Sequence, residues 1–296
     1  MDVLAIALAL VGAVLFAFGT VLQQKAAMEE AGDESLGAGG LVRLLRKPVW
    51  LLGVAIDGAG YACQAAALGV GTIVVVQPLL VLSVVFALPI GARLTGQRVG
   101  RREIVGAIAV VIGLVVFTIV SNPEGGKDDA TDRAWIIGAA IIGGVSLVLF
   151  LASRGARSPG IRAALIGTSS GVLFGLIAAL TKATVDRLDE GIVHVLADWH
   201  LYGLIATSVI AFGLMQAALA TGALAPALST VMVFETIVGV ACGIWMLEEE
   251  LHESTWGIAV SVCALVLVII GLVALSRSQG ALEGDAGRGP APAPAS

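Results

Sequence analysis

Nine apolar runs, each long enough to cross a bilayer, leave almost no polypeptide for anything else. They occupy residues 3–22, 50–68, 73–92, 104–120, 135–152, 163–180, 201–220, 224–247 and 256–275. A spanning helix needs about 20 apolar residues. Inside lipid, only helices and closed barrels satisfy the backbone's polar groups. Runs of this length predict an all-α fold: a polytopic integral membrane protein with nine transmembrane helices. Composition agrees, with 58% hydrophobic and only 13% charged residues, against about a quarter charged in soluble domains. Hairpins as short as 69–72 and 221–223 exclude a soluble domain between those spans. The N-terminus lacks a basic region ahead of its long apolar run, so that run reads as a span and not as a cleavable signal. Cys63, Cys242 and Cys263 fall within apolar helices and read as buried thiols, with neither a disulfide nor a metal cluster indicated.

The runs group as four, one and four. Val14-Leu15-Phe16 and Lys25 in the first run match Val172-Leu173-Phe174 and Lys182 in the sixth. Gln64-Ala65-Ala66 before one hairpin matches Gln216-Ala217-Ala218 before another. The third and eighth runs each hold a proline, Pro78 and Pro226. Each is followed by a related exit, Gly96-Gln97-Arg98-Val99 and Glu248-Glu249-Glu250-Leu251. The shared order predicts a duplicated unit. An odd linker helix inverts the second copy, and inverted repeats of this kind mark secondary transporters. The expected organisation is a first membrane repeat over residues 1–121 with a cytoplasmic loop at 25–48, a linker helix at 134–153, a second repeat over 162–276, and a disordered cytoplasmic tail over 278–296. Runs one to three and six to eight are expected to enclose the path.

Charge sets an expected orientation. One set of loops carries thirteen of the 17 Lys and Arg residues, among them Arg43, Arg46, Lys47, Arg93, Arg101 and Arg102. Basic loops face the cytoplasm, which puts the N-terminus outside and the C-terminus inside a cell inner (plasma) membrane. The opposite loops hold Glu124, Asp128, Asp129 and Asp132, then Asp186, Asp189, Glu190 and Asp198, and then Glu248, Glu249, Glu250 and Glu253. Two readings are open there: a mouth that concentrates cations, or acids that fill non-cytoplasmic loops and are screened by salt.

The stretch Ala223-Leu-Ala-Pro-Ala-Leu-Ser-Thr-Val-Met-Val-Phe-Glu235, with Trp245-Met-Leu-Glu-Glu249-Glu-Leu251, resembles the EamA-type repeat of the drug/metabolite transporter superfamily. That repeat ends in Gly-Glu-x-Leu; here Glu248 replaces the Gly, and Gln97 replaces the Glu in the first half. Many of its members have ten helices. Nine helices with an external N-terminus are similar to the NIPA-type magnesium transporter branch. Gly60-Tyr61-Ala62, Gln77-Pro78-Leu79, Leu82-Ser83-Val84, Ile119-Val120-Ser121-Asn122-Pro123 and Thr181-Lys182-Ala183 resemble that branch too. The resemblance covers roughly residues 1–275 and implies a DMT-superfamily permease for magnesium.

Of the 22 acidic residues, Asp57 and Glu235 sit well inside apolar runs. Intramembrane acids are costly, about 2.5–3.5 kcal/mol on insertion scales, and usually face a cavity or a partner. Magnesium takes oxygen ligands and is commonly held by one or two carboxylates with retained waters. Asp57 and Glu235 with Gln64, Gln216, Ser83, Ser229 and Thr230 nearby would suit it. Proton exchange that drives another substrate, or plain packing, are the rival readings of the two acids. Pro78 and Pro226 remove helix hydrogen bonds, as kinks or as breaks that line a cavity. Lys25 and Lys182 read as snorkelling side chains or as gates to the path.

Other features read blandly. Gly167-x-x-x-Gly171-x-x-x-Gly175 is a stripe for close helix packing; its overlap with Gly-x-Ser-x-Gly lacks the strand-to-helix turn a hydrolase needs. His194, His200 and His252 read as solvated or interfacial. The five tryptophans (Trp50, Trp135, Trp199, Trp245 and Trp256) read as aromatic belts, and residues 36–47 as an amphipathic surface stretch. Gly126-Lys127-Asp128 lacks the spacing of a phosphate loop. The chain is therefore expected to be no enzyme and to need no cofactor. Its expected partners are the bilayer and a small solute or cation, with room for a homodimer and no nucleic acid. Uptake of a divalent cation such as magnesium is the favoured function; a proton-coupled exporter of a small organic metabolite or drug is the alternative.

Overall fold

The computed structural model describes residues 3–31, 46–96, 99–121, 126–127, 129–250 and 255–286. The helices are α1 Val3–Ala31, α2 Pro48–Val70, α3 Ile73–Leu80, α4 Leu82–Leu94, α5 Arg101–Ser121, α6 Asp132–Ser153, α7 Pro159–Asp186, α8 Ile192–Ala197, α9 Trp199–Leu219, α10 Leu224–Trp245 and α11 Thr255–Ala286, with a 3-10 turn at Arg187–Glu190. Among the described residues nine helical stretches are long and apolar enough to span a membrane. They coincide with the nine runs, the third being α3 and α4 together. The protein is an all-helical, multi-pass membrane protein.

The third span divides at Val81 because Pro78 supplies no N–H one turn after Val74. Pro226 behaves differently. It is the third residue of α10, where the N–H has no helical acceptor in any case, so no break occurs there. Pro89, inside α4, is a further proline that leaves its helix continuous.

Small residues set the closest helix pairs. Gly12 meets Gly60, and Gly19 meets Gly53, where α1 crosses α2. Gly167, Gly171 and Gly175 of α7 lie against Ala227, Val231 and Val238 of α10, as the small-residue stripe implies. Gly106 and Gly113 of α5 meet Gly271 and Val268 of α11. The last pair joins the first four spans to the last four. α7 is the most enclosed element; from Ser169 to Thr184 only Phe174 is not buried. α6, the helix expected to act as the linker, packs on α7, where Ser146 and Ser169 exchange hydrogen bonds at 2.8 Å, and turns Ile136, Leu147 and Val148 outward.

Two helix ends differ from expectation. α11 runs on to Ala286, so the first part of the segment expected to be a disordered tail is helical, and α1 extends to Ala31 into the expected loop. Residues 36–45 of the amphipathic stretch, Asn122, Pro123, Glu124, Asp128, His252 and Glu253, and residues 287–296 lie outside the described residues.

Candidate functional site

The two intramembrane acids lie on different helices and in different surroundings. On α2, Asp57 is half-buried against α1. Gly19 leaves the space its carboxylate fills, and a methyl there would overlap Oδ1. The Gln23 side-chain amide donates to Asp57 Oδ2, while Oδ1 is buried with no hydrogen-bond partner among the described residues. One turn further along α2, Tyr61 pairs with Thr181 of α7 at 2.8 Å. Gln64 follows on the same helix and is buried.

Glu235 sits midway along α10 and is half-buried. It makes no hydrogen bond or ion pair among the described residues. Its helix faces α3 through glycines. A Cβ on Gly239 would lie 3.0 Å from Gln77 Cγ, and one on Gly243 3.1 Å from a Val74 methyl. Gln77 is 3% exposed, and its amide nitrogen has no partner among the described residues.

The other expected residues scatter. Gln216 is exposed near the end of α9, and Ser83 is half-buried on α4. Ser229 is buried. Thr230 spends its hydroxyl on its own helix, donating to Pro226 O at 2.8 Å, against Gly167. The structure records no contact between Asp57 and Glu235. No group of three or more His, Cys, Asp or Glu is placed to hold a metal among the described residues.

The bundle is closed at one end by a residue whose role the sequence hid. Glu249 has a side chain with 0% exposure and pairs with Lys182 at 3.3 Å. Its carboxylate also accepts from the backbone N–H groups of Ile73 at 2.7 Å and Val74 at 2.9 Å. Those are the first two residues of α3. Thr72, the residue before them, makes no side-chain cap, so Glu249 caps that helix from a distance of 176 residues in sequence. Lys182 donates further to Gly71 O at 2.9 Å. Lys182 is thus a buried, fully engaged cation and not a snorkelling one, and Glu249 is not a solvated loop acid. The turn that aims Glu249 inward runs through Glu248, a non-glycine residue with φ 52°. The Glu249 N–H closes it by bonding Gly243 O at 3.0 Å.

Beside this end, Arg187 and His200 gather the neighbouring acids. Arg187 pairs with Asp129 at 2.7 Å and Asp198 at 3.1 Å. His200, 2% exposed, lies between Asp198 and Asp129 and stacks with Trp199 and Trp135. Trp135 is itself buried and donates to Asp129 at 2.8 Å. His200 is therefore interior, and Trp135 is not a belt residue. Burial alone would push the Asp198 carboxyl up, but hydrogen bonds from His200 and the charges of His200 and Arg187 hold it below its ordinary value. Lys127 pairs with Glu248. Of the acids expected to line a cation-collecting mouth, Asp129, Glu190 and Asp198 share Arg187, while Glu248 and Glu249 each have a lysine partner.

Two residues escaped the sequence reading. Gln77 is the single polar residue of its half-helix Ile73–Leu80 and stands next to the proline, which is the signal that could have found it. Glu249 is one of three consecutive glutamates; its alignment one residue after the turn position shared by Gly96 and Glu248 was the available hint. Two of the positive-φ residues, Gly96 at 72° and Glu248 at 52°, sit at the exits that match in sequence.

A family model described as magnesium transporter NIPA matches residues 1–280. An uncharacterized protein of Corynebacterium glutamicum is 32% identical over 282 residues, covering 94% of this chain and 96% of the relative. No solved structure matches.

Proposed function

The chain belongs to the NIPA magnesium transporter family, and from that premise we propose that this membrane transporter carries a divalent cation, magnesium first of all, into the cell down its gradient and the membrane potential. The observation that supports this reading is a pair of carboxylates inside membrane spans: Asp57, whose Oδ1 is buried with no hydrogen-bond partner among the described residues, and Glu235, which makes no hydrogen bond or ion pair among them. An intramembrane acid without a partner is a functional site by default, and a hydrated magnesium ion asks for one or two carboxylates rather than a full protein cage. The basic loops then face the cytoplasm of a plasma-membrane protein, with the N-terminus outside. The Glu249–Lys182 pair closes the external end in this orientation.

The absence of a three-ligand cluster among the described residues favours a second reading, in which Asp57 and Glu235 exchange protons to drive export of a small organic solute. Magnesium flux into proteoliposomes under an imposed negative-inside potential separates the two. The cation reading expects flux above empty vesicles, and loss of that flux in Asp57→Asn/Glu235→Gln. No flux from folded, inserted wild-type protein transfers the proposal to proton-coupled export.

A further inference from the structure

The third span shifts its hydrogen-bond register between Pro78 and Val81 while Val81 keeps right-handed helical angles, φ −58° and ψ −25°. Pro78 has no N–H to give the Val74 carbonyl, and the Val81 N–H bonds to Pro78 O at 3.2 Å instead of reaching Gln77 O. Neither carbonyl receives its usual helical hydrogen bond. Every residue of α3 is buried, so these oxygens lie inside the bundle and away from lipid. The Gln77 side chain is buried against Gly239, and its amide nitrogen makes no hydrogen bond among the described residues.

Helix α10 runs antiparallel along this segment. Gly243 faces Val74 and Gly239 faces Gln77. Continuing that register by one turn places Glu235, on the same face as Gly239, opposite Val81 at the break. Here the chain passes from α3 straight into α4 through Val81. A carboxylate and a buried amide without partners among the described residues, and the carbonyl left without a donor by Pro78, share one chemistry: all can offer oxygen to a hard cation and none offers a cationic partner. Unwound carbonyls and half-helix C-termini coordinate ions in other transporter architectures.

We infer that the cation in transit is held at this break, by the Glu235 carboxylate, the Gln77 side-chain carbonyl and the carbonyls freed around Pro78. This inference rests on the cation-transport reading and names its site. Glycines at 239 and 243 let α10 approach α3 closely enough for the two helices to share an ion. Gln77 is the specificity element. A neutral oxygen beside a single carboxylate holds a hydrated divalent ion weakly enough to release it, as conduction requires.

The test uses full-length protein and two readouts: magnesium uptake into proteoliposomes over a range of magnesium concentrations, and manganese binding in detergent followed by its paramagnetic signal. Gln77→Met keeps the side chain's length and removes its oxygen. It is expected to raise KM for magnesium and weaken manganese binding by roughly tenfold or more, the scale of lost supporting contacts at metal sites. Glu235→Gln is expected to abolish both. Gln77→Glu adds a carboxylate and is expected to lower KM while slowing turnover. A Gln77 that only packs would tolerate Met unchanged and give no gain in affinity with Glu. Wild-type flux with unaltered KM and manganese affinity in Gln77→Met and Glu235→Gln would overturn this site and leave the transport reading standing. Should Gln77→Met fail to fold, Gln77→Glu and Glu235→Gln decide the matter by the same readouts. Wild-type protein that neither moves magnesium nor binds manganese would overturn the transport reading, and the site with it.

Discussion

The two ends of the bundle use the same backbone turn and different chemistry. At the acidic end, Glu248 in the left-handed region turns the chain after α10, and Glu249 reaches back to cap α3 and meet Lys182. At the basic end, Gly96 makes the matching turn after α4. The sequence counterparts there are Gln97, a neutral amide that lies outside the described residues, and Lys25, which is half-buried and makes no ion pair among them. Among the described residues, the acidic end thus carries a carboxylate tie across three spans, built on a turn whose left-handed backbone conformation the basic end shares.

The sharpest way to break the comparison is Glu249→Ala. It leaves Lys182 buried without a counter-charge and two α3 N–H groups without an acceptor. A loss of about 3–5 kcal/mol is expected, read as a lower thermal midpoint of the purified protein. Lys182→Met/Glu249→Gln, which buries no charge, is expected to recover most of it. Acid provides the next largest effect. The folded pKa of Asp198 lies below its ordinary 3.8, so its stabilisation is full above that value and is lost as pH falls through the lower, folded one. Asp198 is partly exposed, and about 1 kcal/mol is expected. Thermal scans from pH 7 to pH 3 should show Asp198→Asn with the smaller acid-induced drop.

Glu248→Gly sharpens the shared-turn side of the comparison. A non-glycine residue in the left-handed region costs about 1–2 kcal/mol, offset in part by the exposed pair with Lys127 and by glycine's greater freedom when unfolded. A net gain of about 0.5–1 kcal/mol is expected in the same melt. The smallest effect belongs to Lys25→Ala. With no partner to lose, it is expected to change stability by no more than about 0.5 kcal/mol. A loss as large as that of Glu249→Ala would show that the basic end is tied as well.

Hydropathy is a property of each residue against its solvent, so the sequence carried the nine spans, their short connections and the small-residue stripe of α7, though not the helix it meets. The exit turn was readable as well, because Gly96 and Glu248 hold matching places in the two halves. Pro78 announced an interruption, yet Pro226, an identical signal in print, does nothing of the kind, because its place in the first turn of α10 makes a missing N–H harmless. Partners across helices were beyond reach. Glu249 and Ile73 stand 176 residues apart, and nothing local distinguishes Glu249 from Glu248 or Glu250. His200 looked like a loop histidine until α9 packed it between two aspartates and two tryptophans. Whether a polar group in a span meets lipid, water or another helix depends on rotation about the helix axis and on register. Close packing between distant segments sets both, and a count of apolar residues along one segment contains neither.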